Sequence, residues 1–559
     1  MFRPTTTLGA CLALGGLVQA QDQLHHLSDP LLNEAFGSSV CALGDVDGDG
    51  ATDFAVGDYG SPAGTGGVVA YSGVDAGELY RLASATSVSG FGFAMASVDD
   101  LDGDGVPDLA VSAPAGALSL APNATIDFFS GATGAPLPLV ITGDKNAAFG
   151  SSLVSIPDVD GDGLRDLAVG SPADSSSALE AGAVRVFSTN TGAELYHVYG
   201  NNPGELLGKS LAMVGDLNND GVDEYLAGAP GGEYALAIPY NLGLPWTITP
   251  GSPARDFGWS VAGLGDLDND GVADYAIGAP ADAAGPFQAG NVRVYSGQTS
   301  TVLYTLLGDF DGDRFGTSVC NAGDVNNDGV DDVAVGATLE YSGSFFPAGL
   351  ARISSGVDGS YIYSAIGGGT GALFGACLAD LGDVDGDTRR DLLVGSPGRD
   401  EAFVISRGRS VGTAFCFGDG SGAACPCANF GASGEGCASS MGYGSSLLAL
   451  GSDFVSDDFL VLMAISARPN MPGLFLQGAS QIETPFKDGL LCMGNPTERL
   501  QVVFTDAEGT AISTASIVTE GNVTAGDTRY YQYWFRDAGG VSPCGTGSNF
   551  SSAVEINWF

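Results

Sequence analysis

Along most of the chain, apolar residues come in short runs that stop at glycine or proline, as in Phe54-Ala-Val56 before Gly57, or Leu167-Ala-Val169 before Gly170-Ser171-Pro172. Runs this short, bounded by chain breakers, predict buried strands rather than helices. Around them the order of elements is constant. An extended segment leads to Phe-Gly and a short strand, then an acidic loop. A second strand ends in Gly-x-Pro, a variable stretch follows, and a third strand such as Val68-Val-Ala-Tyr71 completes the pattern. The repeating unit is therefore four strands and no helix.

The acidic loop recurs seven times, with its first aspartate at positions 45, 100, 158, 216, 266, 324 and 383. A period near 58 residues marks a repeat architecture. Carboxylate or amide side chains stand at loop positions 1, 3, 5 and 9: Asp45, Asp47, Asp49 and Asp53; Asp100, Asp102, Asp104 and Asp108; Asp158, Asp160, Asp162 and Asp166; Asp216, Asn218, Asp220 and Glu224; Asp266, Asp268, Asp270 and Asp274; Asp324, Asn326, Asp328 and Asp332; Asp383, Asp385, Asp387 and Asp391. Hard oxygen donors in that number suit calcium, at up to seven structural sites. Position 6 is glycine in six loops (Gly50, Gly105, Gly163, Gly221, Gly271, Gly329), where the turn is expected to need a backbone that a Cβ would penalise. The seventh has Thr388, which makes it the least secure site.

An EF-hand begins in the same way but ends in a bidentate Glu at position 12. Here position 12 is Val56, Val111, Val169, Ala227, Ile277, Val335 and Val394, so that reading fails in every copy. Asp309-Phe-Asp311-Gly-Asp313 imitates the motif out of phase and is expected to be a surface turn. The Phe-Gly element falls at Phe36, Phe91, Phe149, Leu207, Phe257, Phe315 and Phe374, each followed by glycine.

On these residues the chain resembles FG-GAP repeat proteins such as integrin alpha-subunit heads, over roughly residues 22 to 410. The resemblance implies an all-β fold with a seven-bladed β-propeller, in which the calcium loop joins the first and second strands of a blade. It carries ligand roles onto loop positions 1, 3, 5 and 9. A propeller needs its last blade closed by the other terminus. Gln23-Leu-His-His-Leu-Ser28 aligns with fourth strands such as Glu78-Leu-Tyr-Arg-Leu82, so the N-terminal strand is expected to complete blade seven.

Residues 1–20, with Arg3, an apolar stretch from Leu8 to Val18 and then Ala20, have the layout of a secretory signal peptide, and they predict a secreted or cell-surface protein. No other stretch is apolar enough to span a membrane. The net charge of −46 excludes nucleic acid as a direct partner.

Six of the ten cysteines follow residue 411: Cys416, Cys425, Cys427, Cys437, Cys492 and Cys544. In an exported chain an even set favours disulfides over zinc, with pairing open. Cys41, Cys320 and Cys377 lie in propeller strands as small apolar fillers. Residues 411–559 therefore form a separate Cys-rich all-β module, sandwich-like, after the propeller at 21–410. The opening and ending of that module look like C-terminal modules of secreted bacterial repeat proteins. Asn123, Asn522 and Asn549 fit the glycosylation sequon.

Histidine occurs only at 25, 26 and 197, and lysine at 145, 209 and 487, so no catalytic constellation is visible and the chain does not read as an enzyme. The favoured reading is an extracellular calcium-binding adhesion module for a protein or glycan, using the face opposite the calcium loops. Its variable loops there carry Phe287, Tyr341, Phe345 and Phe346. The alternatives are a structural component of a cell envelope or matrix, and a carbohydrate-active enzyme on a propeller platform.

Overall fold

The computed structural model describes residues 23–558 apart from 30–34, 61–65, 84–89, 115–122, 242, 252–253, 284–288, 310–311, 327, 340–347, 368–370, 387–388, 407–411, 433, 451–454, 456–459, 507–508 and 538–543. The signal-peptide segment, the aromatic residues Phe287, Tyr341, Phe345 and Phe346, and Asp387 with Thr388 lie outside the described residues. Two compact units divide the chain, Leu24–Arg407 and Gly408–Phe559.

The first unit is a set of seven four-stranded antiparallel sheets, six of them formed by consecutive strands. Blade 1 runs Phe36–Gly44, Asp53–Asp58, Gly67–Tyr71 and Glu78–Leu82. The others span 95–143, 152–199, 211–248, 260–307 and 315–366. The seventh sheet combines Leu378–Gly382, Asp391–Ser396 and Glu401–Ile405 with Gln23–Ser28, so the N-terminal strand closes the ring as expected. This seven-bladed propeller leaves only short strand edges.

Burial explains the sequence pattern. Every residue of the second strand is buried in each blade, as in Asp53–Asp58 and Asp166–Ser171, which is why those strands read as unbroken apolar runs. Fourth strands such as Glu78–Leu82 are mostly exposed or half-buried, with only Leu82 fully covered. The core lies between blades. One cluster joins Val56 and Val69 of blade 1 to Leu393 and Val404 of blade 7 through Phe36 and Leu27. Another joins Val292 and Val294 of blade 5 to Val333 and Val335 of blade 6 through Phe315.

The Phe-Gly element is the joint between blades. Its glycine has positive φ in all seven copies, from +82° at Gly375 to +93° at Gly258 and Gly316. A Cβ on Gly92 would stand 2.6 Å from the Gly67 carbonyl oxygen of the preceding blade. From the other side, a Cβ on Gly57 would meet the Gly92 carbonyl oxygen at 2.5 Å. Both the conformation and the close approach require glycine.

In the second unit, five strands pair in one sheet in the spatial order Thr413–Phe415, Ser548–Asn557, Thr528–Arg536, Pro472–Phe486 and Gly489–Phe504. Ser446–Leu450, Val461–Ile465 and Ala511–Ile512 form a second sheet. Tyr531, Tyr533 and Phe535 point into the shared core with Leu462 and Ile556. Disulfides join Cys416 to Cys492, Cys425 to Cys437 and Cys427 to Cys544. Asn549 is fully buried and its amide donates to the Cys437 carbonyl at 3.0 Å, which removes it as a glycosylation acceptor in the folded unit.

Candidate functional site

Each acidic loop connects the first and second strands of its blade, so all seven lie at equivalent ends of the strands. In blade 1 the Asp45 carboxylate accepts the Gly48 amide at 2.7 Å and the Gly50 amide at 3.0 Å, curling the loop about its first side chain. Asp47 accepts from the Asp49 amide, and Asp49 from the Ala51 amide. Gly50 sits at φ +99°, and glycines at the same position of five further loops lie between +85° and +95°, as position 6 demands.

Position 9 ties the loop to the blade. Asp53 Oδ2 accepts the Val46 and Asp47 amides at 2.7 and 3.2 Å, while Oδ1 accepts the Gly73 amide just after the third strand at 2.9 Å. The same bracing recurs at Asp108, Asp274 and Asp332. Glu224 is longer by one methylene but still accepts the Leu217 amide at 2.9 Å, so the Glu for Asp exchange keeps the bond to the loop, while its other oxygen accepts from Asn218.

Blade 3 differs. Thr189 stands where Gly73 stands in blade 1, and its hydroxyl donates to the Arg165 carbonyl at 2.6 Å. Asp166 Oδ1 is left buried with no hydrogen-bond partner. A buried, unpartnered carboxylate oxygen is costly unless a cation meets it.

The side chains converge as well. In five loops one carboxylate oxygen from each of positions 1, 3 and 9 lies within 4.8 Å of the other two: Asp45, Asp47 and Asp53; Asp100, Asp102 and Asp108; Asp158, Asp160 and Asp166; Asp266, Asp268 and Asp274; Asp383, Asp385 and Asp391. Such groups of hard oxygens can hold a metal ion. In the first four of these loops position 5 lies outside the group.

Blades 4 and 6 carry Asn218 and Asn326 at position 3, and each amide donates to one carboxylate of its loop: Asn218 Nδ2 to Glu224 at 3.2 Å and Asn326 Nδ2 to Asp328 at 2.8 Å. Their loops keep the same backbone bonding, with Asp216 accepting from Gly221 and Asp324 from Gly329.

Electrostatics point the same way. Burial pushes the ninth carboxyls up: Asp53, Asp108 and Asp274 rise, Asp166 and Asp332 reach about 6, and Glu224 about 7. The first carboxyls Asp100 and Asp158 move down, chiefly because the Gly105 and Gly163 amides bond the charged form. The opposite shifts within one loop follow from one carboxylate being buried and another being bonded by backbone amides. The donor set, the crowding and the orphan at Asp166 all fit a divalent ion.

The out-of-phase motif lies at the surface as expected, with Asp309 and Gly312 exposed, but Asp313 is fully buried and Asp309 forms an ion pair with Arg352 of blade 6. Cys41 and Cys377 are half-buried, with burial pushing their thiols to about 11 and about 12. They are inert fillers.

The FG-GAP repeat pattern matches residues 91–126, 149–187 and 315–350, which run from the Phe-Gly joint through the third strand of blades 2, 3 and 6. Among curated relatives, integrin alpha-5 of Xenopus laevis is 30% identical over 222 residues, 36% of this chain and 20% of that protein. Integrin alpha-PS2 of Drosophila melanogaster is 31% identical over 277 residues, 47% of this chain and 16% of that one. Integrin alpha-8 of Mus musculus is 31% identical over 268 residues, 45% and 20%. The chain therefore spans a fifth or less of the length of these relatives. Among solved structures, Sqt1 of Saccharomyces cerevisiae aligns over 70% of this chain and all of its own at 11% identity and a TM-score of 0.42, too distant to argue from.

Proposed function

We propose that this integrin-alpha-like FG-GAP repeat protein acts outside the cell as a binding or adhesion module, stiffened by calcium in its propeller loops. The observation that supports it is the separation of the two ends of each blade. One end gathers carboxylates into five compact groups held by their own backbone. The other end carries the Phe-Gly joints and the loops that vary from blade to blade.

Calcium would be held by positions 1, 3 and 9 in those five loops, with position 5 and the amides Asn218 and Asn326 completing the set across all seven. When bound, it would neutralise the carboxylates that burial now disfavours. The chain's own contribution is to orient those oxygens through loop amides and to tie them to the third strand through position 9. Residues 21–410 are read as this propeller and 411–559 as a separate module, like those of secreted bacterial repeat proteins. Catalysis is no part of this reading, since the carboxylates are committed to the loops.

The test is binding of the mature protein, in calcium and after chelation, to arrays of extracellular proteins and glycans. Calcium-dependent binding to a defined ligand is expected. Turnover of glycosides abolished by a single carboxylate substitution would overturn the reading in favour of an enzyme. Stable envelope association lost with residues 411–559 would favour a structural role.

A further inference from the structure

Between blades 5 and 6, at the end of the strands opposite the acidic loops, lies a cleft of about 450 Å³. The opposite location follows from register: Ser260 pairs with Gly278 beside the cleft, whereas Gly265 pairs with Asp274 at the loop. Arg255, Asp256 and Trp259 line one side with Pro280 and Ala281, and Arg314, Thr317 and Leu339 line the other. The volume falls within the range of small-ligand sites, roughly 300–1,000 Å³.

The charge of this cleft runs against the molecule. The chain has 66 acids against 20 Lys and Arg. Elsewhere in the propeller, Arg81, Arg185, Arg293, Arg352, Arg390 and Arg399 are each consumed by an ion pair. Arg255 and Arg314 are exposed, and among the described residues neither has an acidic partner. Trp259 also carries a cation against its ring, Lys209 Nζ lying 4.6 Å from the ring centre. Two unpaired guanidinium groups on facing walls are suited to a carboxylate.

The neutral and acidic lining narrows the ligand. Asp256 would repel a wholly anionic partner such as a sulfate cluster or a glutamate-rich peptide, but accepts hydroxyl donors, as does Thr317. Trp259, Pro280 and Leu339 supply an apolar wall for the flat face of a ring. The residue before Phe-Gly takes a left-handed backbone in both blades: Arg314 itself in blade 6, at φ +59°, and Asp256 in blade 5, at +64°, with Arg255 one residue earlier.

We infer that this cleft binds an acidic sugar, with Arg255 and Arg314 on the carboxylate, Asp256 and Thr317 on ring hydroxyls, and Trp259 against the ring. This rests on the binding-module reading and specifies its ligand class.

The test is titration calorimetry of the whole protein in calcium with a glucuronate-containing tetrasaccharide, its carboxyl-reduced counterpart and a glutamate-rich peptide. The acidic sugar alone should bind. Arg255→Gln, Arg314→Gln and Trp259→Ala should each weaken it by about tenfold or more, and added salt should weaken it further. All three residues are at least partly exposed, so a melting temperature equal to that of the parent protein checks that each variant is folded. Equal binding of the reduced sugar, unchanged affinity in both arginine variants, preference for the peptide, or no binding of the acidic sugar would each overturn the inference. The module reading would still stand if another ligand on the array were bound.

Discussion

The Cys377 thiol donates to the Gly37 carbonyl oxygen across 3.2 Å, joining the seventh blade to the first. In other joints the same contact is made by serine, as Ser39 to Gly92 at 2.6 Å and Ser318 to Gly375 at 2.7 Å. The ring is thus closed by the same device that builds it, with sulfur in place of oxygen at one position.

That joint is tight on both sides, since a Cβ on Gly395 would overlap the Gly37 carbonyl oxygen. Gly395→Ala is expected to destabilise the propeller by about 2–3 kcal/mol through overpacking. Cys377→Ser should change stability by less than about 1 kcal/mol, because it restores the bond used elsewhere. Denaturant unfolding of both variants checks the contrast, and equal stability of the two would refute it.

Calcium should stabilise the protein in steps ordered by loop chemistry. At about 1 mM calcium and dissociation constants of about 0.1–1 mM, each loop contributes about 0.4–1.4 kcal/mol. The loops with Asp47, Asp102, Asp160 and Asp268 at position 3 should fill before those with Asn218 and Asn326. Asn326→Asp should add affinity at blade 6, read as a leftward shift in the calcium isotherm. No change in melting temperature on chelation would reject the loop assignment.

The pH response should reverse with metal. Asp166, Asp332 and Glu224 titrate near 6, 6 and 7 in the folded chain, against 3.8 for Asp and 4.5 for Glu in the absence of burial. Between those values the metal-free fold binds more protons than the unfolded chain. Its stability should therefore rise as pH falls from 7 to 5. With calcium bound, protons compete for the same oxygens, so the calcium-dependent gain should shrink over that range. Melting curves with and without calcium at pH 5, 6 and 7 measure both slopes.

In the second unit, removing the Cys425–Cys437 bridge, which spans 12 residues, should cost about 3 kcal/mol by the chain-entropy estimate. Removing Cys427–Cys544, which spans 117, should cost more, about 5 kcal/mol. Peptide mapping of the oxidised protein tests the pairing, and unfolding of double-alanine variants tests the order.

Strand order, the seven-fold repeat and the loop positions were legible in the residues because each depends on local spacing. Phe-Gly and Gly-x-Pro sit at fixed offsets, and Asp45, Asp47, Asp49 and Asp53 alternate along one short turn. The N-terminal strand was legible too, since Gln23–Ser28 matched other fourth strands and blade seven lacked one. What local spacing hid was contact between distant segments. The Phe-Gly glycine was visible as a motif, but its reason, a carbonyl of the neighbouring blade at van der Waals distance, is not. Nor could spacing separate Asp166, orphaned by Thr189, from Asp53, satisfied by Gly73.

The sequence by itself determined an all-β repeat with acidic turns, because turn chemistry and strand burial are written within each period of residues. Only the tertiary structure decided that three carboxylates in each of five loops crowd together and that Arg255 and Arg314 face one cleft. It also decided which cysteines pair. Those facts depend on how the backbone brings residues from separate strands, blades or turns within a few ångströms, and no local pattern encodes that distance.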